Sequence, residues 1–221
     1  MVMREDLEQQ EQMQNLKAFW KANGKWITSS LILLFFIVGS INGWKLWNNY
    51  NKEKASKILT NLEKNIEAQN TDIALRLYQE ISDDYPNTLQ AGLAGLLIAK
   101  SLISDGQRDR GASILYELTK NSHVKWLAII RLSNILLDLN RPGEVIEIIP
   151  EIIPAHWVGI VIDRRGDAFA TLGDFESAKK DWLRALSFYN ANPSNADVAR
   201  FISRKLATVE ASIRELKANE E

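Results

Sequence analysis

Few residues in this sequence are placed to do chemistry. The two histidines, His123 and His156, stand in different segments of a chain with no cysteine. A zinc site needs three or four nitrogen or sulfur ligands converging on one ion, and this composition does not supply them. His123 follows Asn121-Ser122 at an expected turn, and His156 precedes Trp157 just after Pro154, so both read as turn or packing residues. The sequence has no Gly-x-x-x-x-Gly-Lys loop to cradle a phosphate and no Gly-x-Ser-x-Gly elbow to present a nucleophile. Asp163, Arg164, Arg165 and Asp167 crowd four charges onto one expected helix, a pattern that reads as a solvated face, with a docking site as the alternative. Basic and acidic residues number 27 and 28. There is no basic stripe of the kind that holds nucleic acid. No catalytic, cofactor or metal residue is expected, and the chain does not read as an enzyme.

The residues that remain are structural, and they specify helices. Charged and apolar residues alternate at helical spacing after residue 48, strand signals are nearly absent, and Gly and Pro total 11 and 5. The segment 159–192 carries Gly166, Phe169, Gly173, Asp174, Phe175, Ala178, Trp182 and Ala185. This resembles a tetratricopeptide repeat, a 34-residue helix pair with small residues at the helix contact and large ones beside it. In this register Gly166 and Ala178 let two helices approach, Phe169 and Trp182 fill the space around the contact, and Gly173-Asp174 turns the chain. Stepping back from Ala178, the same position falls on Val145, Gly111 and Ala74. Around these, Tyr78, Ile81 and Pro86 match the first copy, and Ala99, Leu102, Leu115 and Leu118 the second. Leu132, Ser133, Leu136, Ile149 and Ile152 match the third. Pro142 suits the first turn of a helix that Pro150 and Pro154 keep short.

Four helix pairs are therefore expected within 48–192. A last helix from about Asn195 to Ala218 follows, with Val198, Phe201, Ile202, Leu206, Val209, Ile213 and Leu216 on one face. Its other face carries Arg200, Arg204, Lys205, Glu210, Arg214 and Glu215. A helix apolar on one side and charged on the other suits the end of a solenoid, and 193–221 is assigned to this cap and tail.

In tetratricopeptide folds the first helix of each pair lines a concave groove. Counting from the anchors, the groove positions are Leu93, Leu96, Lys100 and Ile103, then Leu127, Ile130, Asn134, Leu137 and Asp138, then Ile160, Asp163, Asp167 and Ala170. The Lys-Asn-Arg clamp of chaperone-tail-binding members is not matched, since Asn134 alone survives. An apolar groove grading into acidic residues suits a hydrophobic peptide or a partner helix, unless the last helix folds back and fills it.

Upstream lies a different kind of segment. From Trp26 to Trp44 no residue is charged, and Lys25 and Lys45 close the ends. As a helix this stretch is about 28 Å long, close to the ~30 Å hydrocarbon core of a bilayer. Nine strongly apolar residues, Leu31 to Val38 and Ile41, favour insertion at roughly −0.3 to −0.6 kcal/mol each. Trp26, Trp44 and Trp47 sit where interfacial aromatics belong. Residues 26–47 are expected to form a membrane anchor that is not cleaved, because 25 residues precede it and no small-x-small site follows. Gly39 and Gly43 form a Gly-x-x-x-Gly pair with Asn42 on a nearby face, which would allow a second helix to pack closely. Lysines near the two ends number three (Lys17, Lys21, Lys25) and four (Lys45, Lys52, Lys54, Lys57), which leaves topology open.

The order of parts adds a resemblance. Phe19-Trp20-Lys21-Ala22-Asn23-Gly24-Lys25 leads into the span, and Gly43-Trp44-Lys45-Leu46-Trp47-Asn48 leads out of it. The last repeat carries Trp157-x-x-Ile160-Val161 and Arg165-Gly166-Asp167-Ala168. With these pieces the chain resembles the YfgM family, ancillary subunits of the SecYEG translocon in Gram-negative bacteria. The resemblance implies an inner-membrane protein with residues 1–25 as a short cytoplasmic amphipathic segment and its repeats in the periplasm. It implies as partners the SecYEG translocon, a membrane-anchored periplasmic prolyl-isomerase-like chaperone and nascent secreted chains, which the repeats would help pass to periplasmic chaperones. A purely structural translocon partner and a cytoplasm-facing adaptor of the same architecture are the competing readings.

Overall fold

The computed structural model describes residues 2–190 and 195–220, with side chains described for 12–190 and 195–218. The boundary expected at 192/193 and the first eleven side chains of the amphipathic segment lie outside the described residues. Nine α-helices and no strand occur among the described residues. The chain divides into two compact units, Met1–Asn51 and Lys52–Glu221.

The first unit consists of the leading part of α1 (Val2–Glu67). Its large apolar side chains, Leu33, Phe35 and Phe36 among them, are exposed. A run of large apolar residues facing outward all round is what a membrane span requires, because lipid replaces protein as the partner. Trp44 and Trp47, one turn apart, meet in a tilted contact with ring centroids 5.6 Å apart. Trp26 is likewise exposed. At Gly39 and Gly43 an added Cβ would meet nothing within 4 Å, and Asn42 beside them is exposed.

The second unit is built from four helix pairs and a last helix. The Lys52–Glu67 part of α1 shares a buried cluster with α2 (Thr71–Asp84) through Ala55, Leu62, Ala74 and Ile81, and α3 (Leu89–Ser104) pairs with α4 (Arg108–Leu118). Then α5 (Lys125–Asp138) pairs with α6 (Pro142–Ile148), α7 (Ala155–Thr171) pairs with α8 (Phe175–Tyr189), and α9 (Ala196–Glu220) ends the series. Contacts run from each helix to its neighbours in the stack: α2 to α3, α4 to α5, α5 to α7, and α8 to α9. This is the one-dimensional organisation of a solenoid, in which no pair buries its apolar face without the next.

Local chemistry fixes the helix ends. Thr88 caps α3 by accepting from the Ala91 amide at 3.2 Å, and Asp174 caps α8 by accepting from the Ser177 amide at 3.1 Å. Gly173 adopts φ +81° ahead of Asp174, a conformation that L side chains avoid. Pro142 occupies the first turn of α6, as its missing N–H allows.

The anchor positions of the repeat lie in the core. Ala74, Val145, Ala178 and Ala185 are fully buried. At Gly111 an added Cβ would stand 2.5 Å from Ile103 Cγ1, and at Gly166 it would stand 2.6 Å from Trp182 Nε1. Phe169 is partly buried against the cluster that holds Trp182. One expected packing residue departs from the pattern. Ile152 is 86% exposed, because α6 ends at Ile148. Pro150 denies the helix a further turn, so a residue two turns past the anchor never reaches the core.

Candidate functional site

The concave positions separate into two environments. On α3, Leu96 is buried at 3% exposure and Leu93 and Lys100 are exposed; on α5, Ile130 is buried at 7%, Leu127 is half-buried and Asn134 is exposed. Leu96, Lys100 and Asn134 come together with Ala99, Ile103, Ser104, Leu115, Arg131 and Ile135 around a cleft of about 360 Å³ between α3 and α5. That size falls within the range of roughly 300–1,000 Å³ usual for ligand pockets. Its lining is apolar on Leu96, Ile103, Leu115 and Ile135, and carries two cations, Lys100 and Arg131. Leu93, Leu127 and Ile130 lie outside this lining.

Arg131 was not among the sequence-expected groove residues. It lies one turn before Asn134 and one turn after Leu127, so i,i+3 and i,i+4 neighbourhood on the helix places it beside both. Its guanidinium donates from Nη1 to the Leu96 carbonyl at 3.4 Å, across from α5 to α3.

The fourth pair is different. Asp163, with 5% exposure, is buried, and Asp167 is half-buried. Lys205 of α9 reaches both, with Nζ 2.8 Å from Asp163 Oδ1 and 2.5 Å from Asp167 Oδ1. The same ammonium lies 5.5 Å from the Trp182 ring centroid and 4.9 Å from that of Phe201, within cation–π range. Arg164 Nη1 donates to Asp167 Oδ2 at 3.0 Å. Arg165 forks onto Asp181 of α8, at 2.7 and 2.8 Å. Trp182 Nε1 donates to the Asp163 carbonyl at 3.3 Å.

Two expectations are corrected here. The cluster Asp163-Arg164-Arg165-Asp167 is not a solvated face, because α8 and α9 supply partners and cover it. Nor does Lys205 belong to the exposed side of the last helix: with 15% of its side chain exposed it is a bridge between α9 and α7. Burial shifts the charges accordingly. Desolvation pushes the Asp167 carboxyl above its ordinary value, with the Asp163 charge adding to the rise and Lys205 and Arg164 opposing it. The Arg165 guanidinium is held above its ordinary value by the hydrogen bond to Asp181.

His123 is a structural joint, and His156 is exposed beside its chain neighbour Trp157. His123 Nε2 donates to the Asn87 carbonyl at 3.2 Å, and Asn121 Nδ2 donates to the Pro86 carbonyl at 3.3 Å, tying the α4–α5 loop to the α2–α3 loop. The His156 ring lies 5.4 Å from that of Trp157. Among the described residues no three His, Cys, Asp or Glu side chains gather where an ion could be held. The geometry offers surfaces for contact.

The profile of one family, the tetratricopeptide repeat-like domain, matches residues 17–211. The chain belongs to this tetratricopeptide repeat-like family. The match extends beyond the repeats to include the membrane span. The likeness to the YfgM family expected from the sequence is present too. The chain is 24% identical over 177 residues to the ancillary SecYEG translocon subunit of Escherichia coli K12, covering 78% of this chain and 84% of that one. It is 27% identical over 203 residues to the protein of the same name from Neisseria gonorrhoeae FA 1090, covering 83% of this chain and 90% of that one. Among solved structures, MamA from Desulfovibrio magneticus RS-1, at 14% identity, aligns with a TM-score of 0.49 over 76% of this chain and 97% of that one.

Proposed function

We propose that this tetratricopeptide repeat-like protein is a single-pass inner-membrane accessory subunit of the SecYEG translocon, with its repeats in the periplasm. By protein–protein contacts the repeats help hand emerging secreted chains to periplasmic chaperones, beside a membrane-anchored prolyl-isomerase-like chaperone. The observation that carries this reading is the extent of the likeness to ancillary translocon subunits, which takes in most of both chains. The architecture supports it. Among the described residues one helix is long and apolar enough to cross a bilayer, and the helix pairs carry a cleft. Tethering beside a channel raises the local concentration of a binding surface to about the millimolar range for a short connection, so weak contacts with a passing chain suffice.

The test joins topology to contact. A photo-crosslinking residue is placed in cells at the exposed groove positions Leu93 and Asn134, and the same strain is treated with protease from the periplasmic side. Digestion of the repeats together with crosslinks to channel subunits and secreted chains is the expected result. Protection of the repeats would place them in the cytoplasm and overturn the orientation. Crosslinks to the channel without any to secreted chains would reduce the role to structural support.

A further inference from the structure

The leading part of α1 holds a segment that neither the span nor the repeats use. Between Gln12 and Lys25 the only charged residues are Lys17, Lys21 and Lys25. Glu5, Asp6, Glu8 and Glu11 all precede it, and the next acid is Glu53. At i, i+4 and i+8 the lysines form one stripe along the helix, and all of them are exposed. Glu11 stands more than one turn before Lys17, beyond the reach of an i,i+4 pair, so the stripe has no acidic neighbour on its own helix. Leu16, Phe19 and Trp20 lie on the other side, and each is at least 54% exposed. The Trp20 indole lies along the helix over Gly24, where an added Cβ would meet Trp20 Nε1 at 3.2 Å. This apolar stripe runs into the span without a break: Phe19, Trp26, Ile27, Leu31 and Leu34 line one side of the helix. Lysines on one face and large apolar and aromatic side chains on the other are the pattern of a helix that lies in a membrane interface.

We propose that residues 12–25 lie along the headgroup layer of an anionic bilayer, with Leu16, Phe19 and Trp20 turned toward the acyl chains and Lys17, Lys21 and Lys25 on lipid phosphates. Two observations name lipid as the occupant. The apolar stripe is continuous with one side of the span, so lipid is the surface already beside it. The lysine stripe has no acid of its own, and anionic headgroups supply the missing charge. Continued straight out of the bilayer, the helix would carry Leu16 about 15 Å past Trp26 and leave three large side chains in water. Lying in the interface covers them, while the flexible lysine stems let the ammonium groups reach outward to the headgroups. Gly24 is the weakest helix former between the segment and the span, and the axis turns there. The proposal rests on residues 26–47 crossing a bilayer and goes beyond it by giving the adjoining segment a ligand, the anionic phospholipid headgroup.

The chain has no cysteine, so one introduced thiol carries one probe. Leu16→Cys, Gln14→Cys on the lysine side and Phe36→Cys in the span are each labelled with nitrobenzoxadiazole in the full chain. Each is reconstituted into vesicles of phosphatidylcholine alone or of equal parts phosphatidylcholine and phosphatidylglycerol. Both kinds of vesicle carry a nitroxide-labelled phosphatidylcholine as quencher. With phosphatidylglycerol present, the probe at Leu16 is expected to be quenched more than the probe at Gln14, and more than in phosphatidylcholine alone. Lys17→Gln combined with Lys21→Gln should return the Leu16 probe toward its phosphatidylcholine level, since each lysine changes the bound-to-detached ratio by about fivefold. Equal quenching in the two kinds of vesicle, equal quenching at Gln14 and Leu16, or no response to the lysine substitutions would overturn the proposal. So would a blue-shifted probe at Leu16 that lipid does not quench, because protein would then cover that face. The Phe36 probe separates the two readings. Quenching there without quenching at Leu16 sinks the interfacial segment alone, whereas loss of both removes the span as well.

Discussion

Lys205 shows how one side chain can decide whether a helix end is a cap or a loose tail. Its ammonium lies between two carboxylates with little access to water, and Arg164 balances the remaining charge. Removing one member of such a group leaves the others buried and unpaired, which costs more than the pair itself contributes. Lys205→Gln is expected to lower the unfolding free energy by about 3–5 kcal/mol, read from urea titration of intrinsic fluorescence. The pH dependence has a definite sign. The folded-state pKa of Asp167 lies above its ordinary value of 3.8, so the folded chain holds this proton more tightly than the unfolded chain does. Its contribution to stability therefore declines as pH rises from about 3.8 through the folded value. Glu210 runs the other way. Its pKa is lowered by the hydrogen bond and charge of Lys179, so its contribution is lost as pH falls through the folded value. Wild-type stability minus that of Asp167→Asn should fall as pH is raised from about 4 to about 7; a difference that rises instead would refute the assignment.

At the scale of the helix pair, a glycine on one helix receives an aromatic or branched side chain from the next. Gly166 accepts the Trp182 indole, and Gly159 accepts the Tyr189 ring, which an added Cβ would meet at 3.1 Å. Close approach is required at Gly166, because the same indole donates to the backbone at Asp163 and cannot retreat without losing that bond. Gly166→Ala should therefore destabilise by about 1–3 kcal/mol, although alanine is the better helix former by roughly 1 kcal/mol. Gly143 is the contrasting position: it lies in α6 with nothing within 4 Å of an added Cβ. Gly143→Ala should stabilise, by up to about 1 kcal/mol. Urea midpoints of the two variants against wild type check both signs.

For the whole molecule, a lipid-facing helix and a water-facing array of pairs obey different solvents. The side chains of Leu34, Phe35 and Phe36 that would be a liability in water are the anchor in a bilayer. An arginine at the centre of a span costs roughly 2.5–3.5 kcal/mol. Leu34→Arg is therefore expected to move protein from the carbonate-resistant membrane pellet toward the soluble fraction. The repeats should remain folded by circular dichroism, because they form a compact unit of their own from Lys52 onward. In that unit α9 closes the array. Ile202, Leu206 and Val209 pack on Val158, Ile162 and Trp182, so the last pair does not end on an exposed apolar face.

Features that depend on local period and composition can be read from the order of residues. The uncharged run from Trp26 to Trp44, the glycine, alanine and aromatic positions around Ala178, the turn at Gly173-Asp174 and the packed residues Ile202, Leu206, Val209 and Ile213 of the last helix were legible, because helix spacing and turn chemistry are short-range; Val198, Phe201 and Leu216, expected on the same face, are exposed. Ile152 was misread for the same reason: its spacing fits the repeat, and only the helix end at Ile148 showed that the chain had already left it. Which charges face water depends on how distant helices pack. Asp163 and Lys205 are 42 residues apart in sequence, and no periodicity relates them. Arg131 joins the cleft only when α3 is set beside α5. Charge pairing and desolvation are properties of surfaces brought together from distant parts of the chain, and for that reason the fold and the cleft positions Leu96, Lys100, Ile103 and Asn134 could be read from the sequence while the partners of Asp163, Asp167 and Lys205 could not.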